Sequence, residues 1–299
     1  MSRVHGFLLI DKPQAWTSHD VVAKVRGIVG QKKVGHAGTL DPMATGLLVV
    51  ALGKVTRLLR FVQEAPKEYL ATARFGVATD TLDADGAVLS REEMDVDGSD
   101  VAAVMGRFTG PILQTPPMVS ARRVGGRRLY AMARQGVEVE RQARPVTIHA
   151  LDLVDFAPCH YPEVTFSVRC STGTYIRTLA DDMAQALGGR AHLIALRRTA
   201  NGSHRVEAAH PIEAVAAAAE AGKVDDLVLP PAAGLPDLPL FTVDAATAQG
   251  VRRGMAFPRA ALGDEAAGDG VVRVVDDAGT LLAVYALEGA RARPEVVLP

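Results

Sequence analysis

The chain opens with a short apolar block, Gly6 to Ile10, closed by Lys12-Pro13, which reads as a buried strand. Beyond it Val21, Val22, Val25, Ile28 and Val29 fall on one face of a helix that Thr17 or Ser18 can cap. Lys32 to Pro42 follows neither helical nor strand periodicity. It leads into Leu47-Leu48-Val49-Val50-Ala51-Leu52, a continuous apolar run typical of a strand covered on both faces. Lys67 to Phe75 alternates as a strand, Thr79 to Gly86 is turn chemistry, and Ser99 to Phe108 reads as a capped helix. Arg127 to Gln135 reads as a helix ended by Gly136. Strands follow at Val146–Phe156, Val164–Cys170 and His192–Thr199. Between the last two, Thr174 caps an amphipathic helix that runs to Leu187 and stops at Gly188-Gly189. An Ala-rich helix follows Pro211, and a Pro-rich stretch from Leu229 to Pro239 marks a border. The remaining residues, about 60 of them, are helix-poor, with strands at Gly270–Val275 and Thr280–Leu287, and predict a small β-rich second domain.

Composition changes this picture in two ways. With 48% hydrophobic and 22% charged residues in 299, the chain is that of a soluble globular protein. Its apolar runs are too short for a signal-peptide core or a membrane span, so a cytoplasmic location is expected. Cys159 and Cys170 lack paired Cys/His spacing and indicate neither a disulfide framework nor a zinc site. The net charge of −1 conceals segregation. Residues 1–60 hold nine Lys/Arg against three Asp/Glu, and residues 120–145 hold seven Arg against two Glu. Basic patches of this kind suit a polyanion, although a merely solvated surface has the same pattern.

The candidate chemistry centres on Gly35-His36-Ala37-Gly38-Thr39-Leu40-Asp41-Pro42. Glycines permit tight turns and close approach of a ligand, and Pro42 holds Asp41 away from helical backbone. Asp41 is then either a nucleophile or base, or simply an Asp-Pro turn starter. Arg177, one turn inside the helix after Cys170, can reach a carboxylate beyond the strand end. Tyr69 either stacks on a base or fills the core. His36 is a phosphate or ribose contact, or a hydrogen bonder within its loop. Thr81 to Glu92 imitates a calcium loop but has Thr81 where the first carboxylate belongs, so an acidic turn accounts for it better.

Taken together, these motifs closely resemble the TruB-type pseudouridine synthases. The catalytic loop is matched by Gly35 to Pro42. The remaining motifs follow in family order: Lys12-Pro13 with Thr17-Ser18, Lys67-x-Tyr69, Thr79-Asp80-Thr81-x-Asp83-Ala84-Asp85-Gly86, Gln114-x-Pro116-Pro117 with Ser120-Ala121, Arg144-Pro145-Val146, Gly173-Thr174-Tyr175-Ile176-Arg177 and Leu196-Arg197-Arg198. Ala15 stands where the family usually has Gly, and Arg122 where it commonly has Lys.

The resemblance implies a mixed α/β (α+β) catalytic domain on a largely antiparallel sheet over residues 1–235. An RNA-binding insertion is expected at about 117–145, and a β-rich PUA-like RNA-binding domain at 236–299. It implies isomerisation of uridine to pseudouridine at position 55, in the T-loop of tRNA, after the base is flipped from its stack. Asp41 is then the catalytic carboxylate, acting at C1′, at C6 or in removal of the C2′ proton. Tyr69, Tyr175, Arg177, Leu196 and Lys12 form the active site. His36, Arg122, Arg123, Arg127 and Arg128 contact RNA. No metal, no organic cofactor and no protein partner is implied, and a monomer is expected. An RNA-guided sister synthase and a non-catalytic tRNA-binding or tRNA-folding protein are the alternative readings.

Overall fold

The computed structural model describes residues 4–117, 123–124, 127–128, 141–262 and 268–298. Along the chain come β1 (Gly6–Lys12), α1 (Ser18–Val29), β2 (Val34–Ala37), β3 (Thr45–Leu52), α2 (Leu59–Glu64), β4 (Lys67–Phe75), β5 (Val77–Thr79) and β6 (Val88–Arg91). They are followed by α3 (Gly98–Arg107), β7 (Gly110–Gln114), β8 (Arg123–Val124), β9 (Arg127–Arg128), β10 (Arg144–Ala157), β11 (Glu163–Cys170), α4 (Ile176–Ala186), β12 (Ala191–Asn201), β13 (His204–Arg205) and α5 (Ile212–Glu220). Strands β1, β3, β12, β4, β11, β10 and β7 lie side by side in that order, with β2 added on β3 and β13 on β12. Every pairing in this sheet is antiparallel except that of β12 with β3.

The alternation of β1 and β3 explains why both are apolar throughout. Leu8, Ile10, Leu48, Val50 and Leu52 face α1 and α5, against Val21, Val25, Ile212 and Val215. Phe7, Leu9, Leu47, Val49 and Ala51 face the other way. There they meet Val275, Leu281, Val284 and Val296 of a second sheet. That sheet has the order β14 (Leu240–Thr242), β16 (Gly270–Val275), β17 (Leu281–Glu288), β18 (Arg291–Val297) and β15 (Phe257–Pro258), with α6 (Ala245–Arg252) packed on it. Each Leu, Val or Phe buried in this seam contributes about 1.5–3 kcal/mol. Arg57 Nη1 adds a bond to the Val297 carbonyl at 3.0 Å, and Arg60 pairs with Glu295. In the central strands, Ala71, Ala73 and Phe75 of β4 and Val164, Phe166 and Val168 of β11 pack under α3 and α4. Among the described residues no helix is long and apolar enough to cross a membrane.

Four local expectations are corrected. The stretch that showed no period contains β2, a strand of four residues held by pairing Val34 to Ala37 against β3. Arg127–Arg128 is strand, paired antiparallel with Arg123–Val124, and not the start of a helix; the rest of the expected helix lies outside the described residues. Helix α3 is capped by Asp97, whose carboxylate accepts from the Ser99 and Asp100 amides. Helix α4 begins after Tyr175, because the Thr174 hydroxyl donates back to the Ser171 carbonyl at 2.9 Å and caps nothing. At α1 Thr17 does cap, reciprocally with Asp20.

Candidate active site

One cleft, of about 250 Å³, opens where the loop before β3, the start of β4, the loop after β11 and the end of β12 come together. Sheet register brings these segments to one level. Tyr69 pairs with Val168 of β11 and with Arg198 of β12, and Arg198 pairs in turn with Gly46 of β3. Asp41, Tyr69, Tyr175, Arg177 and Leu196, five of the residues singled out in the sequence, line this cleft together. A volume of this size lies just below the roughly 300–1,000 Å³ of small-molecule pockets, enough for one base and little more.

The loop carrying Asp41 is pinned on both sides of it. The Leu40 amide donates to the Ser18 hydroxyl at 2.8 Å. The Pro42 carbonyl accepts from the Ala15 amide at 2.9 Å and from Lys12 Nζ at 3.3 Å. Lys12 is wholly buried and also donates to the carbonyls of Pro13 and Trp16, so its ammonium ties two loops by three carbonyls. Burial lowers its pKa to about 8, with the Asp41 charge opposing that fall. Gly46, the second residue of β3, has φ +97°; a Cβ there would meet the Arg198 carbonyl oxygen at 2.3 Å, so only glycine lets the two strands close up.

Arg177, in the first turn of α4, is 3% exposed and sits between two carboxylates. Its Nη2 lies 3.0 Å from Asp41 Oδ2, and its Nη1 lies 3.0 Å from Asp83 Oδ2 and 2.7 Å from the Thr81 carbonyl. One guanidinium thus serves two acids, leaving the trio with one net negative charge. Arg177 draws the Asp41 carboxyl down, but burial outweighs it and the Asp83 charge assists burial, so the Asp41 carboxyl sits above its ordinary value.

Tyr69 packs on the core cluster and also faces the cleft. Burial raises its phenol, against the positive charge and hydrogen bond of Arg198. The Tyr175 backbone is clamped by Gln114, which accepts from its amide at 2.7 Å and donates to its carbonyl at 3.0 Å. That contact gives the Gln114-x-Pro116-Pro117 motif its place in the site. His36 does not line the cleft. It lies on β2, edge-on to His19 at 5.6 Å between ring centroids, and burial holds its pKa down to about 4. Arg122 lies outside the described residues, and Arg123, Arg127 and Arg128 are placed only as the paired strands β8 and β9.

Sequence reasoning missed Asp83 and Arg198 as site residues. Asp83 was taken for part of an acidic turn, yet it is 5% exposed and spoken for by Arg177, which removes it from any calcium loop. Arg198 is 1% exposed and lines the cleft. Strand parity was the available signal, since residues 196 and 198 share a face of β12.

Residues 26–176 match the family model described as TruB family pseudouridylate synthase (N terminal domain), and residues 177–235 that of the tRNA pseudouridylate synthase B C-terminal domain. The chain belongs to the TruB family of pseudouridylate synthases. Among its relatives, a tRNA pseudouridine synthase B of Symbiobacterium thermophilum is 48% identical over 85% of this chain and 84% of its own. One of Ralstonia nicotianae is 43% identical over 98% of this chain and 93% of its own. The solved structure of a Cbf5-Nop10-Gar1 complex superposes on 99% of this TruB-family chain and 85% of the other chain, with a TM-score of 0.77 at 26% identity. The border between the two family models falls inside the cleft: Asp41 and Tyr69 lie in the first, Arg177 and Leu196 in the second. Both halves contribute strands to a single sheet, and helix α4 supplies Arg177.

Proposed function

We propose that the protein converts the T-loop uridine of tRNA, position 55, to pseudouridine. The observation that carries this reading is the opposition of Asp41, anchored by Arg177, to Tyr69 across a cleft of single-base size. A uridine inside a folded T-arm presents neither its sugar carbon nor its base edge, so it must swing out to enter such a cleft. Tyr69 then stacks on the base, Leu196 and Tyr175 close around it, and Asp41 serves the breaking of the N1–C1′ bond. Arg177 orients the Asp41 carboxylate, and Lys12 fixes the loop that bears it. The isomerisation keeps every substrate atom, and these residues supply what its bond changes need without a cofactor.

Residues 1–235 form the catalytic domain in this reading, with an insertion at about 117–145 that holds the T-arm through Arg122, Arg123, Arg127 and Arg128. His36, beside the cleft and outside it, meets the displaced RNA. Residues 236–299 are a PUA-like domain that extends the RNA contact. The protein works in the cytoplasm as a monomer.

The likeness to a chain solved with Nop10 and Gar1 favours a second reading, in which a protein or guide-RNA partner is required. Identities of 39–48% to relatives named tRNA pseudouridine synthase B, against 26% to that chain, support action alone. Purified protein incubated with an unmodified tRNA transcript, followed by chemical mapping of pseudouridine, tests both. Product at position 55 without additions is expected. Product only when partners are added would favour the second reading, and none under any condition would overturn the first.

A further inference from the structure

The charged side chains of the cleft form two groups that do not meet. In one, Arg177 is shared by Asp41 and Asp83, which leaves one net negative charge. The other is Lys67 and Arg198, both of which line the cleft and are 4% and 1% exposed. Neither of these two has a carboxylate within ion-pairing distance among the described residues. Carbonyls hold them instead. Lys67 Nζ donates to the Ala65 carbonyl at 2.6 Å and to that of Gln63, at the end of α2. Arg198 donates through Nε to Leu47 O at 2.7 Å and through Nη2 to Gly38 O at 3.1 Å. Carbonyl dipoles orient a cation without cancelling its charge. The two side chains converge on Gly38, where a Cβ would lie 3.4 Å from Arg198 Nη1 and 3.9 Å from Lys67 Cε. Burial, and next the Arg198 charge, lower the Lys67 pKa to about 8, against the opposing influence of Cys170 and Glu64. Two buried cations side by side are costly unless an anion joins them, and these two open on a cleft that can admit one.

Isomerisation supplies such an anion. When the N1–C1′ bond breaks, its electrons leave with N1. The base then carries a negative charge, shared with O2 and O4, until C5 bonds to C1′. The proton that C5 loses balances the one that N1 gains, and the base ends neutral. We infer that Lys67 and Arg198 form the seat of this base anion, facing the detached uracil and offsetting its charge for as long as it is free. The inference rests on the proposed function. It gives the cleft a polarity matched to the bond that breaks. The negative group around Asp41 serves the sugar carbon, which becomes electron-poor, and the two cations serve the base, which becomes electron-rich. Charges fixed in place beforehand lower a barrier without reorganising as the bond breaks. Neutral uridine gains less from them than the anion does, so they act on the rate more than on binding. The four carbonyls that hold Lys67 and Arg198 also keep the cations from swinging onto Asp41, where a salt bridge would erase the polarity.

The test is single-turnover reaction, at saturating tRNA, of transcripts carrying uridine or 5-fluorouridine with full-length wild type, Lys67→Met, Arg198→Met and Lys67→Arg. Fluorine at C5 withdraws electrons and stabilises the base anion by itself, so that substrate depends less on cations beside it. Digestion and mass spectrometry distinguish N-linked from C-linked nucleoside and so read cleavage of the N1–C1′ bond. Lys67→Met is expected to slow the uridine substrate by about 10²-fold, the lower figure for loss of one charge-stabilising donor, with tRNA affinity unchanged. Its loss on 5-fluorouridine is expected to be several-fold smaller, and Arg198→Met should repeat the pattern. Lys67→Arg keeps the charge and, whatever its rate, is expected to keep the wild-type ratio between the two substrates. Equal losses on both substrates are what a purely structural cation gives, and they overturn the inference. A ratio for Lys67→Arg that matches that of Lys67→Met overturns it too. Should either Met variant fail to fold, the Gln variant at the same position decides by the same comparison. Failure of the wild type to form pseudouridine from the uridine transcript would count against the proposed function instead.

Discussion

Asp83 Oδ2 accepts from Arg177 Nη1 at 3.0 Å in a part of the molecule where both side chains are almost wholly covered. Arg177 is therefore committed to Asp83 from inside and reaches Asp41 with its other nitrogen. The two acids share that cation, and Arg177 and Asp83 act on Asp41 in opposite directions.

Arg177→Met should raise the acid limb of the pH–rate profile. The Asp41 carboxyl already sits above its ordinary value through burial, and Arg177 is the largest influence holding it down. Loss of an opposite charge at this distance raises a carboxylate by about 1–3 units, so activity is lost earlier as pH falls. Asp83→Asn should move the same limb the other way, because Asp83 raises Asp41. Rate profiles of the two variants that shift in the same direction would dissolve the coupling.

Asp41→Asn should abolish turnover while tRNA affinity stays within a few-fold. The carboxylate's charge serves the chemistry, whereas binding draws on the rest of the cleft and its surroundings. Residual activity above about one per cent, a loss of only ~2.7 kcal/mol of barrier, would remove Asp41 from its role.

Ala15→Gly should stabilise the protein. Ala15 sits at φ +66°, in the left-handed region, and its amide bonds to the Pro42 carbonyl next to Asp41. Relief of about 1–2 kcal/mol of steric cost outweighs the ~0.5–1 kcal/mol of extra chain entropy that glycine loses on folding. A Tm rise of about 1–3 °C is expected. A calorimetric Tm that falls would show that the turn carries no strain.

Changing Arg122, Arg123, Arg127 and Arg128 together to Gln should flatten the plot of log K for tRNA against log salt. Each phosphate contact adds a slope of about 0.7–0.9, so four lost contacts change it by ~3, and two by 1–2. Turnover at saturating tRNA should suffer less than affinity. Parallel lines for wild type and variant would take this segment out of the RNA interface.

The parts legible in the sequence were those whose residues carry a pattern of their own. The run Leu47 to Leu52 announced a doubly covered strand because both of its faces are in fact covered. That Arg177 could reach a carboxylate followed from a strand end and a helix start, and in the structure that carboxylate is Asp41. Strand β2 was illegible because its Gly35-His36 centre has no period, and only pairing with β3 makes it a strand. Asp83 was illegible for a related reason. Its neighbours spell a turn, Leu82 indeed adopts φ +61°, and what buries the carboxylate is a distant strand whose Leu193 amide bonds to the Leu82 carbonyl at 3.0 Å. Thr174 misled because its hydroxyl could either accept from the amides of the coming helix or donate back into the loop, and it donates to the Ser171 carbonyl.

The seam between the two sheets has a mechanical meaning. Phe7, Leu9, Leu47 and Val49 share one buried cluster with Val275, Leu281 and Val284. Bending there would wet the floor beneath the strand that leads out of the Asp41 loop. A change in the angle between the sheets therefore carries a solvation cost of about 1.5–3 kcal/mol for each large apolar side chain it uncovers.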